Sequence, residues 1–85
     1  MIRIRSVLPL GGFLVRLEFS DGVVKEVDLE SSLRGPMFER ARSDPEFFKA
    51  VRIDPESGTI TWPNGADLDP DVLRFGLDPS GYLAR

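Results

Sequence analysis

Histidine and cysteine are both absent from this 85-residue chain, and lysine occurs twice, at Lys25 and Lys49. Without these side chains the commonest general base, the thiolate nucleophile and the nitrogen and sulfur donors of zinc sites are all missing. Any catalysis would fall to carboxylates, Ser, Tyr or Lys. The lack of cysteine also points to the cytoplasm, because so small a domain in an oxidising compartment usually carries disulfides. No apolar run approaches the ~20 residues that cross a bilayer. The first residues, Met1-Ile2-Arg3-Ile4-Arg5, are charged and alternating, which is not the pattern of a secretion signal.

What is present is ordinary globular composition, 41% hydrophobic and 29% charged. The length allows one domain, which buries only roughly 60% of the surface its unfolded chain exposes. That leaves little room for an enclosed active site. The net charge of −3 is unevenly placed. Residues 1–53 carry nine basic and eight acidic side chains, whereas residues 54–85 carry two and six. An acidic final third argues against direct nucleic-acid binding, which rests on basic surface, and suits a basic partner. A solvated acidic face is the plainer alternative.

Hydrophobic periodicity outlines the fold. Ile2 to Leu8 alternates as a strand, which Pro9 to Gly12 is expected to break. Phe13 to Phe19 has period two, with Phe13, Val15, Leu17 and Phe19 on one face and Arg16 and Glu18 on the other. Asp21-Gly22 supplies the positive φ angles of a tight turn, and Val23 to Leu29 returns antiparallel. Glu30 to Leu33 reads as a short helical or irregular turn. Residues 36–42 and 45–50 then take helical spacing, either as two short helices or as one kinked helix, with Pro36 and Pro45 suited to first helical turns. Val51 to Asp54 and Thr59 to Trp62 flank the turn Pro55-Glu56-Ser57-Gly58 as a second hairpin. Asp69-Pro70-Asp71 starts a last short helix, and residues 75–85 read as an irregular tail. The expected architecture is a single α+β domain over residues 1–74. Its antiparallel sheet has about five strands, built from two β-hairpins plus the N-terminal strand, with short helices between the hairpins.

Asp67, Asp69 and Asp71 alternate like the opening of a calcium loop, but the glycine that such a loop requires next is replaced by Val72 and its final glutamate by Asp78. Asp69 as cap, Pro70 at the first helical position and Asp71 near the positive helix end explain the cluster without metal. Asp-Pro occurs at 44–45, 54–55, 69–70 and 78–79, which turn and cap chemistry also explains. Trp62 has the make-up to stack a base or sugar, yet its place at a strand end fits core packing. Gly11-Gly12 lacks the Lys-Ser/Thr of a phosphate loop. Arg3, Arg5 and Arg16 are placed to line one solvent face of the sheet. Phe75, Leu77, Tyr82 and Leu83 lie beyond the expected core, and apolar side chains left outside a core mark an interface.

The run Leu17-x-Phe19-x-Asp21-Gly22, Val27-Asp28-Leu29, Phe47-x-x-Val51-x-Ile53-Asp54 and Thr59-Ile60-x-Trp62-Pro63-Asn64-Gly65-x-Asp67-Leu68-x-Pro70-Asp71-x-Leu73 resembles the bacterial domain-of-unknown-function family numbered 2442. The resemblance covers about residues 2–74, and the Trp-Pro-Asn-Gly-x-Asp-Leu-x-Pro segment is its most specific part. It implies an α+β fold, a small intracellular bacterial protein and no catalytic residues. Some relatives are encoded beside small toxin-like proteins of the family numbered 4160 and are proposed as antitoxins, while others carry a helix-turn-helix domain, which is not expected here because the sequence ends at Arg85. The expectation is a cytoplasmic, non-enzymatic interaction module without cofactor or metal. Its expected partner is a small basic, toxin-like protein, contacted by Asp67, Asp69, Asp71, Phe75, Leu77, Tyr82 and Leu83. The alternative is a nucleic-acid-linked regulator using the arginine face. Because small sheets with open edges tend to pair, a homodimer is expected as well.

Overall fold

A computed structural model describes residues 2–76, which form five antiparallel strands and several short helices. Strands β1 (Ile4–Gly11), β2 (Leu14–Phe19) and β3 (Val24–Asp28) make a meander in that order. Two 3-10 turns follow, Glu30–Ser32 and Pro36–Phe38, then α1 (Glu39–Ser43) and α2 (Pro45–Lys49). Strands β4 (Arg52–Asp54) and β5 (Thr59–Thr61) form a second hairpin, and α3 (Pro70–Phe75) ends the described chain. The five expected strands are thus present, but they lie in two sheets of three and two rather than in one continuous sheet. The sheets meet where the Ile4 amide donates to the Gly58 carbonyl at 2.7 Å, while the Arg3 guanidinium donates to the Pro55 and Glu56 carbonyls of the same turn. A single backbone bond between a strand end and a turn does not make a ladder, which is why the sheets stay separate.

β1 does not stop at Pro9. Two bulges carry it on to Gly11, with Arg5 and Leu10 as the extra residues. The first bulge has a clear cause. Ile4 lies opposite Phe19 and Val7 opposite Leu17. Three residues apart, Ile4 and Val7 would fall on opposite faces of a regular strand, and one inserted residue returns both to the core side. Pro9 sits opposite Val15, a pair whose backbone groups on β1 point away from β2, so the missing N–H costs no ladder bond. Between β2 and β3 the turn is a three-residue loop, Ser20-Asp21-Gly22, in which only Gly22 has positive φ (88°).

The core lies between the inner face of the meander, the helices and the small hairpin. Val15, Leu17, Phe19, Leu29, Leu33, Ile60 and Trp62 are fully buried in it. The helical region is two helices, not one, because Asp44 leaves α-helical geometry (φ −121°, ψ 104°) and serves both as end of α1 and as cap of α2. Its carboxylate accepts from the Glu46 and Phe47 amides, and Pro45 cannot extend a preceding helix. The opposite face of the meander, with Leu8, Arg16, Glu18, Val24 and Glu26, is uncovered by the described residues. No helix among the described residues is long and apolar enough to cross a membrane.

Candidate interaction surface

The stretch that stands out in the sequence, residues 62–71, is built around Trp62. Its ring is buried, meets Phe38 edge-on at 5.8 Å between centroids and Phe48 at 5.9 Å, and its indole N–H donates to the Phe48 carbonyl at 3.1 Å. It is a core residue rather than a stacking platform. Pro63-Asn64-Gly65 forms a three-residue loop of the same design as 20–22: Gly65 N–H donates to the Trp62 carbonyl, Trp62 N–H to the Ala66 carbonyl, and Gly65 takes a φ of 87°. The Asn64 side chain works in both directions. Its oxygen accepts from the Ala66 amide at 3.2 Å and its NH₂ donates to the Met37 carbonyl at 2.9 Å, tying the loop to the 3-10 turn before α1. The chain then runs back along β5. Asp67 makes a β-bridge with Thr61, and the hydroxyls of Thr61 and Thr59 donate to the Ala66 and Leu68 carbonyls. This return segment was invisible to strand periodicity because it is too short to show a period.

From there the acids follow in sequence. Asp67 is exposed, Asp69 is the cap of α3 with its oxygen accepting from the Asp71 amide at 2.8 Å, and Asp71 is exposed in the first turn. The three carboxylates do not converge, and no group of acids able to hold a metal ion occurs among the described residues. Asp44, Asp54 and Asp69, each followed by proline, accept in the same way from the amide two residues on. The Glu56 amide accordingly draws the Asp54 carboxyl below its ordinary value. Asp78-Pro79 lies outside the described residues.

α3 extends past Leu73, its buried anchor, to Phe75, which is 52% exposed. Its last turn is held against the β2–β3 hairpin. The Lys25 ammonium donates to the Leu73 and Arg74 carbonyls, both at 3.1 Å, where a cation favours the negative helix end. The Arg74 guanidinium pairs with Asp21 at 2.9 Å, and this hydrogen bond is the main reason the Asp21 carboxyl sits below its ordinary value. Lys25 and Arg74 drew no notice in the sequence because their roles depend on partners about 50 positions away, although a basic residue in the last turn of a helix was a usable signal. Asp67, Asp69, Asp71 and Phe75 are each exposed on or before α3, with half-buried residues and the buried Leu73 between them, whereas Leu77, Tyr82 and Leu83 lie outside the described residues. The arginine face is dispersed: Arg3 is tied to the β4–β5 turn and Arg16 pairs with Glu26 at 2.9 Å, leaving Arg5 exposed at its bulge.

The model of the family described as "Protein of unknown function (DUF2442)" matches residues 4–79, nearly the whole chain. The chain belongs to this family. In DUF2442 terms the match spans both sheets and continues through α3. Neither the curated proteins nor the solved structures include a match.

Proposed function

We propose that this DUF2442 domain is a cytoplasmic, non-enzymatic interaction module of a bacterium, the antitoxin-like partner of a small basic, toxin-like protein. The observation that carries the reading is the exposure of Asp67, Asp69, Asp71 and Phe75, three carboxylates followed by an exposed aromatic ring within nine residues. Such a mixture suits a partner surface that is basic and partly apolar. Two features weigh against catalysis. A depression of about 380 Å³ lined by Pro9, Leu10, Gly11, Gly12, Phe48 and Lys49 has no carboxylate in its lining to pair with the lysine. The aspartates that precede proline, Asp44, Asp54 and Asp69, are engaged as caps and turn acceptors. The nucleic-acid alternative is weakened by the engagement of Arg3 and Arg16 within the domain.

The test is an affinity pull-down from the native host with the chain tagged at Met1, repeated with Asp67→Lys, Asp71→Lys and Phe75→Ala. One stoichiometric small basic protein is expected, and its capture should fall sharply with the substituted chain. Capture indifferent to all three substitutions, or recovery of nothing, would count against the reading.

A further inference from the structure

The two outer edges of the three-stranded sheet are not alike. In the β2–β3 ladder the pairs that exchange backbone hydrogen bonds are the odd-numbered ones. Phe19 N–H donates to the Val23 carbonyl and Leu29 N–H to the Phe13 carbonyl, so the even-numbered pairs, Glu18 with Val24, Arg16 with Glu26 and Leu14 with Asp28, are the non-bonded ones. The N–H and C=O groups of Val24, Glu26 and Asp28 therefore point away from β2, and none has a partner among the described residues. All three residues are exposed, Val24 by 56%. On the other edge, β1 is occupied at its start by the Gly58 carbonyl and carries Pro9, whose nitrogen has no proton to offer. Proline on an edge strand is a common block against added strands. Among the described residues one edge is closed and the other open.

The side chains of the open edge define what fits it. On the outer sheet face Val24 is followed by Glu26 and Asp28, all exposed, with Arg16 paired to Glu26 and one Asp28 oxygen accepting from the Glu30 amide. A second copy of β3 is a poor occupant. In any antiparallel register the even-numbered positions Gly22, Val24, Glu26 and Asp28 meet only even-numbered ones, and none is basic. A second copy therefore offers Glu26 and Asp28 no opposite charge and, in registers centred near Glu26 or beyond, sets acid against acid.

We infer that the β3 edge is a strand-addition site for an extended, basic segment of a partner protein, with Lys or Arg at alternate positions opposite Glu26 and Asp28 and an apolar side chain beside Val24. This rests on the interaction-module reading and specifies the partner's chemistry. Main-chain hydrogen bonds to Val24, Glu26 and Asp28 supply affinity, and the acidic side chains supply selectivity. The C-terminal turn of α3, with the exposed Phe75, is held beside the same strand by Lys25, so strand and helix end form neighbouring contact surfaces.

The test uses the full chain and a fluorescein-labelled decapeptide of alternating Arg and Val, with a Glu-Val decapeptide as control. The Arg-Val peptide should bind and slow amide exchange at Val24, Glu26 and Asp28, and the Glu-Val peptide should not. Val24→Pro removes an outward N–H that makes no internal bond, so the fold should persist while affinity drops about tenfold or more. Val24→Thr, which keeps the N–H, should bind like the wild type. Equal binding of both peptides, protection confined to other strands, or a chain dimer that Val24→Pro dissociates would each overturn the assignment. If a pulled-down partner is retained by Val24→Pro, the edge assignment falls and the interaction module stands. If no partner is recovered but the peptide docks as described, the edge stands without that module's partner.

Discussion

At the residue scale, the domain depends on a few side chains that satisfy more than one demand. Trp62 fills the core and also donates to the Phe48 carbonyl at the end of α2, which accepts from the Val51 amide as well. Trp62→Phe keeps most of the ring and leaves that carbonyl its Val51 amide, so loss of the one indole hydrogen bond should cost about 0.5–1.5 kcal/mol. Trp62→Ala adds a cavity and should cost about 3–5 kcal/mol. Urea denaturation followed by circular dichroism would check both, and equal stability of wild type and Trp62→Phe would remove the hydrogen bond from the account. The sequence showed a lone tryptophan at a strand end and pointed correctly to packing. It could not show the indole's acceptor, which is 14 positions earlier.

At the scale of elements, local chemistry explains most boundaries. Asp44 and Asp69 each precede a proline at the first helical position and accept a backbone N–H. Asp44→Ala and Asp69→Ala should each lose about 1 kcal/mol, while Asp44→Asn and Asp69→Asn should stay near wild type because an amide oxygen caps as well as a carboxylate. Thermal melts of the four variants would test this. If Asp69→Asn proved as unstable as Asp69→Ala, the charge rather than the cap would be what matters. The docking of α3 is electrostatic as well as apolar. With the Asp21 carboxyl held below 3.8 by Arg74, its contribution is fully present above that value and is lost as pH falls through the lowered value. Asp21→Asn should therefore be less stable than wild type at neutral pH, with the gap closing in acid. Chemical denaturation as a function of pH reads it, and a gap that persists or grows below 3.8 would contradict the sign.

At the scale of the molecule, the joint between the two sheets is the vulnerable point, since Ile4 and Gly58 share the backbone bond that connects them. Gly58 has a φ of 70°, and a Cβ there would lie 2.7 Å from the Arg3 side chain. Gly58→Ala should cost about 1–2 kcal/mol from the left-handed backbone alone, plus whatever the displaced Arg3 gives up in its bonds to Pro55 and Glu56. A double-mutant cycle separates the two. Gly58→Ala should be less damaging in an Arg3→Ala background, and full additivity would show that Arg3 and Gly58 do not interact.

The two hairpins, the inward faces of β2 and β5, the caps of α2 and α3 and the return of the chain at Asp-Gly were all legible in the sequence, because period-two alternation and turn and cap chemistry act over a few residues. The rest depended on tertiary packing. It split five strands into two sheets, carried β1 through Pro9 by bulges, engaged Arg3 and Arg16 within the domain and turned residues 66–68 back onto β5. It left Asp67, Asp69, Asp71 and Phe75 each exposed and, among the described residues, β3 with an open edge that no pattern within β3 reveals. Whether an edge is free depends on what the remote parts of the chain cover, and that is settled by packing between residues far apart in sequence.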